Sequence, residues 1–277
     1  MSSVKFCARC GRDLALKVAY CDRCGAFVNQ SPSSGTNRAD KNFEKPKIER
    51  VLKDVLGLDG WPVAVKLLNS SSEIPSGVKE IGEFHRHCEM IQKVRRYGET
   101  FFAPPSKQRC KVAGISLGLM KPTEELREHQ RQELLERRHR FKTEALLRKF
   151  LENTPTVSDR HSAVLYGPLG AFPTDPDVVV LVCDTLQAMK LIQAYQYATG
   201  KRANASMGGL FSLCADAVAT PYSQGTLNIA IGCEGAREHG GLKDYELSVG
   251  FPYRMADTLT DGLISLVEHE ATKEEHK

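Results

Sequence analysis

Cys7-x2-Cys10, a ten-residue spacer and then Cys21-x2-Cys24 most constrain how this chain can begin to fold. Each Cys-x2-Cys knuckle puts two thiolates on one side of a tight turn, and two knuckles complete a tetrahedral zinc site. Gly11 and Gly25 follow the second cysteine of each pair, where such a turn favours positive φ. A segment of about 25 residues cannot bury enough apolar surface to fold alone, so the metal must supply the stability, on the order of 10 kcal/mol. The competing reading of the same four thiols is two unrelated redox pairs.

Redox compartment follows from the same residue type. The chain has nine cysteines, no apolar signal core ahead of Cys7, and no apolar run near the roughly 20 residues of a membrane helix. These features lead to the expectation of a cytoplasmic protein with no membrane partner, whose thiols stay reduced and serve metal or redox chemistry. The net charge of +4 is too small to demand a nucleic-acid partner.

Composition divides the chain into three parts. Residues 1–28 form the zinc-bearing segment. Residues 29–42, NQSPSSGTNRADKN, form a flexible polar linker with a reach of about 20 Å. Residues 43–277 are long enough for one sizeable core and read as an α/β or α+β domain with a mixed sheet. Apolar spacing predicts a helix over 43–56, a strand at WPVAVKLL, with Lys66 as a solvated edge lysine, and a helix over 83–97 closed by Gly98. A short helix beginning near Ser106 is expected to carry Cys110, followed by a long charged helix over 123–151. That helix has Glu133–Arg137 and Glu136–Arg140 as i, i+4 pairs. HSAVLY, DVVVLVC, TLNIAIGC and YELSVGFP read as strands; TLQAMKLIQAYQYAT, LFSLCADAVA and the carboxy-terminal MADTLTDGLISLVEH read as helices. The order helix, glycine, irregular stretch, helical cysteine occurs around Gly98 and Cys110 and again around Gly200 and Cys214, an echo a duplication would leave.

Four thiols of the main domain, Cys88, Cys110, Cys214 and Cys233, stand at predicted helices, helix edges or a strand end, beside Gly, Gln or Arg. Converged, they would suit an iron–sulfur cluster or a second zinc. Arg86, Arg109 and Arg237 would favour the thiolates and offset their charge, and amides near Gly232 and Gly235 could donate to the site. The alternative is four packed core thiols, the role expected of Cys183 at the end of VVVLVC. His85 and His87 flank the first cysteine, but helical geometry points them in different directions, which disfavours a mixed His/Cys site. Gly114-Ile-Ser116-Leu-Gly118 matches a nucleophile elbow in letters only, because that chemistry needs a strand before the serine. No residue stands out as a catalytic base.

The stretches LGLDGWPVAVKLL, RHCEMIQKVRRYG, QRCKVAGISLGL and NIAIGCEGAR followed by VGFP resemble the domain of unknown function family one hundred and sixty-nine, uncharacterised ArCR-type proteins of archaea and bacteria. The likeness runs over residues 50–268. It implies that Cys88, Cys110, Cys214 and Cys233 form a recurring set, that Arg86 and Arg237 lie in matching motifs, and that Cys183 does not belong. The amino-terminal segment resembles the zinc ribbons at the ends of many unrelated microbial proteins and stands outside the family's core. Neither resemblance implies a reaction. The functional expectation is a metal-binding protein, with zinc in the ribbon and an iron–sulfur site at the four thiols, doing redox or sulfur chemistry on a small molecule. The alternatives are a nucleic-acid-binding or recruitment protein using the ribbon and the basic helix, and a carrier passing metal or sulfur to a client protein.

Overall fold

The computed structural model describes residues 5–6, 13–14, 45–203 and 205–274. At the amino terminus β1 (Lys5–Phe6) pairs antiparallel with β2 (Asp13–Leu14). The zinc site expected at Cys7, Cys10, Cys21 and Cys24 and the linker at 29–42 lie outside the described residues.

The main domain runs α1 (Lys45–Leu56), β3 (Val63–Leu68), β4 (Lys79–Glu80), α2 (His87–Tyr97), β5 (Phe101–Ala103) and α3 (Lys111–Ser116). A helical excursion follows: α4 (Glu124–Arg131), a π-helical turn (Gln132–Arg137) and α5 (Glu144–Glu152). The chain then forms β6 (Ala163–Pro168), β7 (Val178–Asp184), α6 (Thr185–Thr199), a second π-helical segment (Ser212–Ala219), α7 (Thr220–Gln224), β8 (Asn228–Ala230), α8 (Glu234–Glu238), β9 (Glu246–Pro252) and α9 (Ala256–Glu274). The seven-stranded sheet has the order β4-β5-β6-β3-β7-β9-β8, with β4–β5 parallel and the other pairs antiparallel, so the expected mixed sheet is present.

Helices cover both faces of this sheet. On one face α1, α6 and α9 pack on Leu68, Leu165, Val179, Leu181, Val249 and Phe251. On the other α2, α8 and the Ser212–Ala219 segment pack on Val63, Val65, Val164, Tyr166, Val178 and Val180. A strand buried on both sides has no polar face to show, which is why β7 reads as an unbroken VVVLVC. Cys183 lies in the first of these cores, 1% exposed, on the opposite face from the α2 side, where it packs as a small apolar group.

Four local expectations change. Lys66 is not on an edge: β3 is central, and the side chain reaches the strand end to donate to the Asp175 carbonyl at 3.0 Å, beside Asp177. The charged segment 123–151 is not one helix, because Arg138–Lys142 interrupts it and His139 takes a left-handed φ of 49°. Helix α3 begins at Lys111, with Cys110 as its cap. Gly98 and Gly200 both cap helices in the left-handed region, but α2 and α6 lie on opposite faces of the sheet, so what the echo shares is capping chemistry. No helix among the described residues is long and apolar enough to cross a membrane.

One buried ion pair ties the cysteine-bearing face to the sheet. Arg95 of α2 grips both Glu246 oxygens of β9, at 2.5 and 3.3 Å, with both side chains under 10% exposed. Burial raises the Glu246 pKa, but the Arg95 guanidinium and the Lys243 amide outweigh it and hold the carboxyl below its ordinary range. Removing one partner strands the other charge in the core. Glu246→Gln should therefore cost roughly 3 kcal/mol in urea unfolding, and an Arg95→Met, Glu246→Leu double variant should recover most of that loss.

Candidate thiol site

Four elements each present a cysteine at or near a helix start. Cys88 is the second residue of α2, Cys110 is the N-cap of α3, Cys233 is the N-cap of α8, and Cys214 is the third residue of the π-helical segment. The first turn of a helix has backbone N–H groups without carbonyl partners, and these groups favour negative charge. The amides of Glu89, Val112, Ala113 and Ala215 accordingly act to lower the pKa values of the adjacent thiols.

The four thiols also converge. Cys88 feels the charges of Cys233 and Cys110, Cys110 feels Cys233, and Cys214 feels Cys110, Cys233 and Cys88. Burial is the larger effect at each of these three, and it wins over the amides. It pushes the Cys88 thiol up to about 12, raises Cys110, and raises Cys214 well above its ordinary value. Burial thus favours the neutral thiol at Cys88, Cys110 and Cys214, with Cys88 Sγ donating to the Gly235 carbonyl at 3.2 Å and Cys214 Sγ donating to the Phe211 carbonyl at 3.4 Å. Cys214 is buried, while Cys88, Cys110 and Cys233 are half-buried. Among the described residues no three His, Cys, Asp or Glu side chains are grouped tightly enough to hold one metal ion.

The segment holding Cys214 has wider turns than an α-helix, and side-chain hydrogen bonds tie it to its surroundings. Asn228 donates to the Asp216 carbonyl at 2.8 Å, Thr220 Oγ1 donates to the Ala215 carbonyl at 3.1 Å, and Ser212 Oγ accepts from the Gly232 amide at 2.9 Å. All eight residues, Ser212–Ala219, are buried. The segment lies directly on β9, where any Cβ at Gly250 would collide with the Ala217 carbonyl. Phe211, just before it, has a left-handed φ of 62°, a conformation disfavoured for a bulky side chain. Both π geometry and such backbone strain recur at functional sites.

The three arginines expected to support the thiols have different fates. Arg86 lowers the Cys110 pKa and so lies within electrostatic reach. Arg237 is committed elsewhere: its guanidinium donates to the Lys243 carbonyl at 2.6 Å and the Ile231 carbonyl at 2.7 Å, clamping the turn that carries Cys233. Arg109 is exposed, and its amide bonds the His85 carbonyl. Of the two histidines, His85 is near Glu83 and Glu89 at the surface. Ser116 ends α3 with its hydroxyl buried and unpaired, not on a strand-to-helix elbow.

Sequence reasoning missed the polar string beneath the thiols. His87 is 2% exposed, and its Nδ1 shares a 2.8 Å hydrogen bond with the hydroxyl of Tyr166, itself fully buried in β6. Burial lowers the His87 pKa to about 4, so the ring is neutral. Burial also raises the Tyr166 pKa; Gln108 opposes that, and the neighbouring Cys214 and Cys88 add to it. His87 Nε2 and Gln108 Oε1 are buried without hydrogen-bond partners. The available signal was adjacency: His87 precedes Cys88, and Gln108 stands two residues before Cys110. Because burial disfavours thiolates in the metal-free site, alkylation of Cys88, Cys110 and Cys214 at pH 8 should run at least about tenfold slower than that of a free thiol. The rate at Cys88 should still be rising at pH 10, as site-resolved mass spectrometry can show.

With this geometry in hand, comparison with known proteins places the chain. An uncharacterised protein of Methanocaldococcus jannaschii is 36% identical over 219 residues, covering 79% of this chain and 91% of that protein. No solved structure matches. The family described as DUF169, uncharacterised ArCR, matches residues 51–262, a span that includes all four thiols and begins beyond both Cys-x2-Cys pairs. The chain therefore belongs to the uncharacterised ArCR family, DUF169.

Proposed function

We propose that the main domain binds a thiolate-ligated metal centre, iron–sulfur in character, through Cys88, Cys110, Cys214 and Cys233, and uses it for redox or sulfur chemistry on a small molecule. The observation carrying this is that four thiols from four separate helix starts lie within electrostatic reach of one another, with backbone amides beside Cys88, Cys110 and Cys214. The donor set fits the group. Four thiolates, one buried and three half-buried, would repel one another without a cation between them, and hydrogen bonds to sulfur are a usual means of tuning such clusters.

Bound there, a cluster would supply electron transfer or, with one thiol withheld, a Lewis-acid iron. The chain's own part is distinct. Amides at 89, 112, 113 and 215 stabilise the thiolates, Arg86 offsets charge beside Cys110, and the apolar surroundings of Cys214 exclude water. The neutral His87 and the Tyr166 hydroxyl fix the floor of the site. We assign zinc to Cys7, Cys10, Cys21 and Cys24 on their spacing alone. A nucleic-acid surface on the excursion is less favoured, since Arg131, Arg137, Arg138, Arg140 and Arg148 all pair with carboxylates.

Anaerobically purified or reconstituted protein should absorb at about 400 nm and contain iron and acid-labile sulfide. Cys214→Ser and Cys233→Ser should lose most of both, and Cys183→Ser should keep them. Zinc alone after anaerobic reconstitution, with no iron or sulfide, would overturn the assignment.

A further inference from the structure

The excursion formed by α4, the Gln132–Arg137 turn and α5 is mostly solvent-exposed, with only Gln130, Leu134 and Leu147 buried. Yet it touches the thiol site at two separate places. At its tip, Arg138 and Arg140 donate to opposite oxygens of Glu234, at 3.0 and 2.6 Å, and Glu234 is the residue after Cys233. At its base, Phe150 of α5 stacks between Phe141 and Phe211, with ring centroids 5.2 and 5.9 Å away. Phe211 is the left-handed residue whose carbonyl accepts the Cys214 thiol.

A cleft of about 660 Å³ lies beneath the excursion, which is room for a small molecule. Val112 and Ile115 of α3, the helix capped by Cys110, line it on one side, and Leu147 and Leu151 of α5 line it on the other. On the α4 side of the latch the chain is interrupted rather than one rigid helix: α4 passes into a π-helical turn just before Arg138, and His139, between the two latch arginines, sits in the left-handed region.

We propose that residues 124–152 are a hinged cover over the thiol site, latched by Glu234 through Arg138 and Arg140, and that its opening admits small molecules to Cys233. The proposal rests on the four thiols being the functional site; it does not require that a particular metal be bound there. Two features make the arrangement suited to opening. The latch is a pair of half-exposed ion pairs, each weak in water and screened by salt. The aromatic base is the firmer contact, so the tip can lift while Phe150 stays packed on Phe211.

The test is site-resolved alkylation of the full chain, reduced and chelated so that no metal shields a thiol. Cys183, on the far face of the sheet, reports any general loosening. In Glu234→Gln and in the Arg138→Gln, Arg140→Gln double variant, the Cys233 rate should rise about three- to tenfold, while the Cys183 rate stays at its wild-type value. In the wild type, salt at about 1 M should raise the Cys233 rate toward that of the variants, and in the variants salt should do little. Equal Cys233 rates in wild type and both variants, or an unresponsive wild type in salt, would refute the cover; so would a parallel rise at Cys183. Because no metal is present, such a failure leaves the iron–sulfur assignment standing, and loss of that assignment leaves the alkylation result intact.

Discussion

The contact on which the site depends is the seating of the Ser212–Ala219 segment against β9. Position 250 must lack a side chain for Ala217 to come that close, and the segment is then tied down by Asn228 donating to the Asp216 carbonyl, Thr220 Oγ1 donating to the Ala215 carbonyl and the Gly232 amide donating to Ser212 Oγ. Replacing Asn228 removes the side-chain partner of the buried Asp216 carbonyl, at a cost of about 1–3 kcal/mol. Cys214 is thereby fixed from the sheet side. The other three thiols arrive on α2, α3 and α8, and Arg95–Glu246 holds the longest of these helices to the same strand. Strand β9 therefore registers Cys214 directly and Cys88 through α2.

The electrostatics of the cluster work against its metal-free state being ionised. Helix-start amides and Arg86 favour thiolate, but burial and mutual repulsion favour thiol and prevail. Such a balance suits a site that exchanges protons for a cation. In the proposed metal site Cys88, Cys110 and Cys214 would give up their protons to the cation, and the same amides would become hydrogen-bond donors to sulfur. Arg237 could not serve as a counter-charge without releasing the Ile231 and Lys243 carbonyls, which would free the turn that delivers Cys233.

Much of this was legible in the residues. The strands, the glycine-closed helices and the separation of Cys183 from the other four thiols follow from apolar periodicity and from flanking chemistry. What stayed hidden depends on distant partners. Glu136 and Arg140 are four apart and suggest one continuous helix, but Arg140 pairs with Glu234, 94 residues away, and Glu136 turns to Arg131. The π geometry of Ser212–Ala219 depends on Asn228 and on the missing side chain of Gly250, neither of which registers in a local pattern. Tyr166 reads simply as one more apolar residue of HSAVLY; only the approach of α2 turns its hydroxyl into the partner of His87.

The two faces of the sheet are packed for different ends. Around Cys183 the core is apolar and continuous, and α1, α6 and α9 form a layer that can carry most of the stability. The thiol-bearing face instead uses short helices, two π-helical stretches and a strained Phe211. It also leaves His87 Nε2 and Gln108 Oε1 without partners in the interior. The strain at Phe211 and the unpaired atoms of His87 and Gln108 cost folding free energy, and all three residues lie within a few positions of one of the four cysteines. Packing alone would have selected apolar residues at positions 87 and 108; on the opposite face the buried Thr260 of α9 is paired with the Ala256 carbonyl. The concentration of strain and unpaired atoms on one side of a sheet whose other side is conventionally packed is what a site retained for chemistry, rather than for stability, should look like.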